Sequence, residues 1–169
     1  MKTIKRNFRN YVLGDYTIEL RDVTKKQFDG DIVVTDPCYF VSDSIWHNFV
    51  ELLFDENAPN EMNKSGLAII TVEGEACEFL YTQTAYGDGD FDLQHNSGTL
   101  NGRSRVGVDA GMISVALLED AIHLSDDPSE LERDYYPKIL NFNGEIVAQN
   151  NNFVGDVTVL TWDSSQLKG

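Results

Sequence analysis

The chain has 169 residues, of which 41% are hydrophobic and 24% are charged, and its formal net charge is −15. This length favours a single domain, and the sequence contains no apolar run close to the roughly 20 residues of a membrane-spanning helix. The N-terminus is basic but lacks the apolar core of a signal peptide, so we expect a cytoplasmic protein of a bacterial host cell.

The charge is distributed unevenly along the chain. Residues 1–26 contain seven Lys or Arg and three Asp or Glu, a net charge of +4, whereas residues 27–169 carry a net charge of −19. Such an acidic body repels nucleic-acid phosphates and lipid head groups, and it attracts basic protein surfaces. The charge therefore disfavours direct nucleic-acid and membrane binding and favours a basic protein partner.

Short β-strands are predicted along most of the sequence, because β-branched or alternating apolar residues recur between turn residues. The predicted strands cover residues 11–20, 31–36, 67–73, 77–85, 90–94, 103–109, 112–117, 139–142, 145–149 and 156–162. Residues 1–10 are predicted to form a basic flexible arm, ahead of one β-rich domain over residues 11–169. We expect a mainly β (α+β) fold, with a curled antiparallel sheet that forms a barrel or a sandwich.

Glycine-containing pairs mark the predicted turns. Asn143-Gly144 predicts a type I′ hairpin between two of the strands, because both residues tolerate positive φ. The other turns are predicted at Gly74-Glu75, which closes a second hairpin, and at Asp29-Gly30, which leads into the strand over residues 31–36.

One clear helix is predicted near residues 43–54, where apolar residues recur on one helical face. Ser42 or Ser44 is the predicted N-cap. Residues 118–124 follow a predicted strand directly and are predicted to form a further helical turn.

The strand over residues 31–36 delivers two chemically active side chains to its carboxyl end. Ile32-Val33-Val34-Thr35 is β-branched throughout, and Asp36-Pro37 ends the strand, so Asp36 and Cys38 follow it immediately. A nucleophilic Cys38 would need a histidine partner. None of the three histidines has a recognisable spacing to it, so two buried free thiols are the favoured interpretation.

A glycine-rich segment, Tyr86-Gly-Asp-Gly-Asp-Phe-Asp92, places Asp88, Asp90 and Asp92 at alternate positions. Alternating carboxylates could chelate a divalent cation such as Ca²⁺ or Mg²⁺, although the EF-hand pattern is absent. No other cofactor is expected. A turn with solvated aspartates is the favoured interpretation, because turns prefer these residue types in any case.

A lone carboxylate, Asp109, lies in an apolar run beside Gly111. Burial of a carboxylate is unfavourable without a partner, so Asp109 is predicted to have one. Backbone amides of a turn, Arg103 or Arg105, a metal ion, or a proton shared with Asp36 could each supply it. Capping of a turn is the favoured interpretation, and an acid–base pair of the two aspartates is the alternative.

Residues 119–134 form the most acidic segment of the chain and are predicted to be a solvated loop with helical turns. Its acidic residues are Glu119, Asp120, Asp126, Asp127, Glu130, Glu132 and Asp134. This segment could occupy a basic groove on another protein, or it could simply face solvent. The size of the acidic excess, beyond what solubility requires, favours an interaction surface.

Three stretches together resemble a family of small uncharacterised bacterial and phage proteins. They are Val33-Val-Thr-Asp-Pro-Cys-Tyr-Phe40, Thr84-Ala-Tyr-Gly-Asp-Gly-Asp-Phe91 and Val106-Gly-Val-Asp-Ala-Gly111, which match that family in order and rough spacing over residues 31–116. The resemblance implies a β-rich fold and a bacterial or phage setting, and it marks Asp36, Asp88 and Asp109 as shared positions. It implies no activity.

These observations lead to one favoured function and two alternatives. The favoured function is an acidic, non-enzymatic binding protein or inhibitor, encoded by a phage or mobile element, that occupies a basic surface of a host defence or nucleic-acid-handling protein. The first alternative is a small-ligand or metal site at the strand ends, which would sequester a nucleotide-like ligand or hydrolyse a bond with a metal-bound water. Its residues would be Asp36, Cys38, Tyr86, Asp88, Asp90, Arg103, Arg105 and Asp109. The second alternative is an assembly subunit whose sheet edges pair with copies of itself.

Overall fold

Antiparallel strands make up most of the described chain. The structure, a computed structural model, describes residues 2–10, 14–84, 89–95, 104–108, 110–127, 138–149, 152–154 and 157–159. The strands are β1 (Thr3–Asn10), β2 (Gly14–Arg21), β3 (Lys25–Thr35), β4 (Ser65–Val72), β5 (Glu75–Gln83), β6 (Gly89–His95), β7 (Ser104–Val108), β8 (Met112–Leu117), β9 (Lys138–Gln149), β10 (Asn152–Val154) and β11 (Val157–Val159). The helices are α1 (Asp43–Leu53) and α2 (Leu118–Leu124), and 3-10 turns lie at Pro37–Tyr39 and Asn60–Asn63. The predicted mainly β fold with one clear helix is confirmed.

The strands form one curled antiparallel sheet. Their order is β1-β2-β4-β5-β8-β3-β9-β10-β11-β6-β7. The two end strands, β1 and β7, do not pair with each other in the described residues, so the sheet is open there rather than a closed barrel. Within the same part of the chain, no helix is long and apolar enough to cross a membrane.

Strand β3 lies in the middle of the sheet and is buried on both faces at its carboxyl end. It pairs with β8 on one side and with β9 on the other. Val33 packs in one apolar cluster, whereas Ile32 and Val34 pack in a second cluster on the opposite face. The unbroken β-branched run is explained by this position, because successive side chains of a strand point to opposite faces and both faces here are apolar.

The two helices cover one face of the sheet. Phe49 of α1 is fully buried and makes edge-on ring contacts with Phe79 and Tyr81 of β5, at centroid distances of 5.3 and 5.5 Å. On the opposite face, the second cluster includes Phe142 of β9, beside β3, and also Val108 of β7, at the far end of the strand order. The curl therefore covers the face that the helices leave open.

One prediction about the N-terminal half is corrected, and the predicted N-cap position of α1 is confirmed. Residues 1–10 were predicted to be a flexible arm, but Thr3–Asn10 forms β1 and pairs with β2 along its whole length. Ser42 occupies the N-cap of α1, but its hydroxyl makes no hydrogen bond to the described residues. The carboxylate of Asp126 accepts a hydrogen bond from the first helical N–H, that of Asp43, at 3.3 Å instead.

The predicted Asn143-Gly144 hairpin is absent, because both flanking segments belong to the single strand β9. The β9 pairing with β3 runs without interruption from Lys25 to Val34, through the predicted Asp29-Gly30 turn. Gly144 lies opposite Phe28 and Gly30 lies opposite Phe142, and both glycines have positive φ. Glycine adopts such a φ without steric cost, so these residues allow the strands to continue through both predicted turns.

The hairpin between β4 and β5 is confirmed, with its turn one residue earlier than predicted. Glu73 and Gly74 are the two loop residues, with φ values of 52° and 82°. Positive φ at both positions defines the type I′ geometry that matches the twist of the strands.

Candidate functional site

Asp36 is a buried turn-capping residue. Its side chain has no exposure to solvent and caps the 3-10 turn that begins at Pro37. One carboxyl oxygen accepts a hydrogen bond from the backbone N–H of Cys38 at 3.0 Å, and the other accepts one from the N–H of Ala110 at 2.6 Å. Asp36 thus joins the end of β3 to the segment before β8. This burial and these partners fit a structural role better than a ligand-binding role.

The remaining residues of the predicted strand-end site are described only in part. Tyr86, Asp88, Arg103 and Asp109 lie outside the described residues. Asp90 and Asp92 belong to β6 and Arg105 belongs to β7, where Asp92 and Arg105 are register partners. Among the described residues, no group of three or more His, Cys, Asp and Glu side chains is arranged to hold a metal ion.

The acidic segment is divided between α2 and the residues after it. Glu119 and Asp120 lie on α2, and Asp126 and Asp127 follow the helix, whereas Glu130, Glu132 and Asp134 lie outside the described residues. The Asp120 carboxylate accepts a hydrogen bond from the backbone N–H of Glu78 at 3.2 Å. The pairing of β5 with β8 ends at Phe79 opposite Ala116, and α2 begins where β8 ends. The hydrogen bond to Glu78 therefore attaches α2 to β5 one residue beyond that last pair.

An exposed isoleucine, Ile122, lies on the outer side of α2 between two clefts. Its exposed fraction is 44%, whereas Ala121 and Leu124 of the same helix are buried. The first cleft, here called the β3 cleft, has a volume of about 330 Å³ and includes Asp29 and Asp31. The second, the β5 cleft, has a volume of about 430 Å³ and includes Glu75 and Asp120. Ile122 and Glu119 line both clefts, and we call this whole region the α2 surface.

Two ionisable groups at the β5 cleft, Asp120 and Cys77, have raised pKa values. Burial raises the pKa of Asp120, and the nearby Glu119 and Glu78 carboxylates raise it further, against the lowering effects of the Glu78 N–H and of Lys26. Burial also raises the pKa of the Cys77 thiol to about 12, with further contributions from Asp120 and Glu75. Desolvation by burial is the largest cause of both shifts, and the neighbouring carboxylates add to it. A thiol with this pKa is protonated at neutral pH and is a poor nucleophile.

Two basic side chains lie close to these carboxylates. The Lys26 ammonium contacts a Glu78 carboxylate oxygen at 2.6 Å, and the His123 imidazole contacts Glu75 at 3.2 Å. In the β3 cleft, the described lining residues include the carboxylates of Asp29, Asp31 and Glu119 and no cationic side chain. The α2 surface therefore retains an excess of negative charge.

Sequence reasoning identified Glu119 and Asp120 but missed the other half of the α2 surface. Asp29 and Asp31 flank Gly30 in the middle of β3, and Glu75 begins β5, so chain folding alone brings them to α2. Ile122 is apolar within the acidic segment, but so are Leu124 and Leu131, so the sequence alone does not distinguish it. Comparison with protein-family models, with curated proteins and with solved structures gives no match.

Proposed function

We propose that this protein is a non-enzymatic binding protein whose α2 surface docks onto a basic surface of another protein. The observation that carries the proposal is the position of Ile122, exposed between two clefts that are both lined by carboxylates. An apolar residue inside a charged surface is a common centre of a protein interface, because its burial stabilises the complex while the surrounding charges select the partner.

The geometry favours a partner that presents both cationic and apolar side chains. Cationic side chains would enter the β3 and β5 clefts, and an apolar side chain between them would cover Ile122. Arginine suits these positions best, since its planar guanidinium forms paired hydrogen bonds with carboxylates. A nucleic-acid-binding groove of a host enzyme presents such cations, so occupation of that groove would inhibit the enzyme.

A defined peptide tests the proposal directly. The probe is Arg-Arg-Gly-Leu-Gly-Arg-Arg, titrated calorimetrically into the full chain at low salt, with a scrambled peptide of the same composition for comparison. Ile122→Ala removes an apolar side chain that is 44% exposed, so the lost burial of about 1 kcal/mol should raise the Kd about fivefold. Glu119→Gln should raise the Kd further, because Glu119 lines both clefts.

Matched controls separate the α2 surface from general acidity. Phe54→Ala removes another exposed apolar side chain, at the end of α1, and Glu56→Gln removes another exposed carboxylate. Neither residue lines the two clefts, so both variants should bind the probe as the wild type does. Equal binding by all four variants, or equal binding of the scrambled peptide, would contradict the proposal, because either result would reduce the interaction to non-specific charge attraction.

A further inference from the structure

Strand β1 has one pairing edge that no described strand occupies. It stands at the end of the strand order, and its only described strand partner is β2. The β1–β2 pairing is unbroken over eight residues, and β1 contains neither proline nor a bulge. Short length, proline and bulges, which protect many edges from pairing, are absent from β1, and its cationic side chains oppose pairing with another basic strand but not with an acidic one.

The hydrogen-bonding groups on this edge can be assigned from the register. The N–H of Asp22 donates to the carbonyl oxygen of Lys2, so residues 2 and 22 form a hydrogen-bonded pair. Hydrogen-bonded pairs alternate along an antiparallel ladder, so the even-numbered residues of β1 bond to β2. The backbone groups of Thr3, Lys5, Asn7 and Arg9 therefore point away from β2.

The side chains of β1 define what could pair there. Lys5 and Arg9 are exposed on one face, and the weak contact of Arg9 with Asp15, at 3.7 Å, leaves its side chain 79% exposed. On the other face, Ile4 and Phe8 are partly buried at the edge of the core. Arg6 on that face is paired with Asp55. The edge thus combines two exposed cationic side chains on one face, opposite Glu19 and Asp15 of β2, with apolar surface on the other.

We propose that β1 binds an extended acidic segment of another protein as an added β-strand, independently of the α2 surface. The segment would alternate acidic and apolar residues, with its acids facing Lys5 and Arg9 and its apolar side chains covering Ile4 and Phe8. Main-chain hydrogen bonds to Thr3, Lys5, Asn7 and Arg9 would supply affinity, and the charges would supply selectivity. The same cations oppose pairing of β1 with β1 of a second copy.

The test uses the peptide Glu-Val-Glu-Val-Glu-Val-Glu with a fluorescent label and the full-length protein. Asn7→Pro removes an outward N–H without removing a bond to β2, whereas Asn7→Ala keeps that N–H. We expect Asn7→Pro to raise the Kd about tenfold and Asn7→Ala to leave it unchanged. A Lys5→Glu/Arg9→Glu variant should also bind weakly, in contrast to the control Lys25→Glu on β3.

Peptide chemistry supplies the second half of the test. A version with N-methyl groups on alternate amides keeps every charge but removes the donors that a ladder needs, so it should not bind. Equal affinity of both peptides, equal affinity of Asn7→Pro and the wild type, or absence of binding would overturn the proposal. A dimer in sedimentation experiments that Asn7→Pro dissociates would also overturn it, because a second copy would then occupy the edge.

Discussion

Replacement of Asp36 by asparagine distinguishes a structural carboxylate from a ligand-binding one. Asp36 is fully buried, and its two oxygens accept hydrogen bonds from the N–H groups of Cys38 and Ala110. Asparagine keeps one acceptor oxygen but presents an NH₂ group to the other N–H, so one donor of this part-buried turn loses its partner. The loss of this bond and the unsatisfied donor together should lower the free energy of unfolding by about 3 kcal/mol.

Thermal and urea unfolding measure this effect. For a chain of this size, about 3 kcal/mol corresponds to a decrease in Tm of about 10 °C. Asp31→Asn is the matched control, because Asp31 lies on the same strand, is exposed, and accepts only a surface hydrogen bond from Asn141 at 3.1 Å. This control should change the unfolding free energy by less than about 0.5 kcal/mol.

Two results would refute the structural assignment of Asp36. An unchanged Tm for Asp36→Asn would show that the two hydrogen bonds contribute nothing to stability. A wild-type Tm that rises with Mg²⁺, Ca²⁺ or a nucleotide, together with a variant that does not respond, would assign Asp36 to ligand binding, since a ligand stabilises only the state that binds it.

Three further predictions concern other parts of the fold. Because folding raises the pKa of Asp120, the stability that its proton contributes is present at low pH and is lost as the pH rises through the folded-state pKa. In urea at pH 7, the free energy of unfolding of Asp120→Asn should therefore exceed that of the wild type by about 0.5 kcal/mol, a small value because the half-exposed side chain is screened by solvent. The difference should disappear in acid. A wild type that gains stability relative to the variant as the pH rises would contradict this prediction. Cys77, with a pKa of about 12, should not react with a disulfide reagent in native Cys38→Ser protein, and rapid reaction would show that the thiol is accessible. Gly66→Ala should destabilise the fold by about 2 kcal/mol, because the added methyl carbon would lie 2.8 Å from the Arg21 carbonyl oxygen and 2.9 Å from the Tyr81 hydroxyl; unchanged urea unfolding would refute this clash.

Elements with local signals could be predicted from the sequence. The apolar face of α1, the β4–β5 turn and the change from β8 to α2 at Leu118 each depend on residues close together in the chain. The turn-capping role of Asp36 also has a local signal, an aspartate before proline, although turn capping is the interpretation favoured above for Asp109 rather than for Asp36.

Elements decided by a distant partner could not be predicted in the same way. Asn143-Gly144 carries the strongest hairpin signal in the chain, yet Gly144 lies within β9 because β3 pairs along its whole length and places Phe28 against it. The basic residues of β1 suggested a flexible arm, but β2 provides a partner for the whole strand. The α2 surface combines β3, β5 and α2, so its clefts exist only after the sheet has formed.

The two proposed binding surfaces are complementary in charge but not in geometry. The basic edge of β1 offers backbone donors and acceptors to an extended chain, and α2 cannot supply that chain because a helix already uses its own backbone groups. The α2 surface offers carboxylates and the Ile122 side chain, which suit side chains on a folded basic surface rather than a strand. The two proposed surfaces would therefore suit partners of different chemistry, a folded basic surface for α2 and an extended acidic segment for β1.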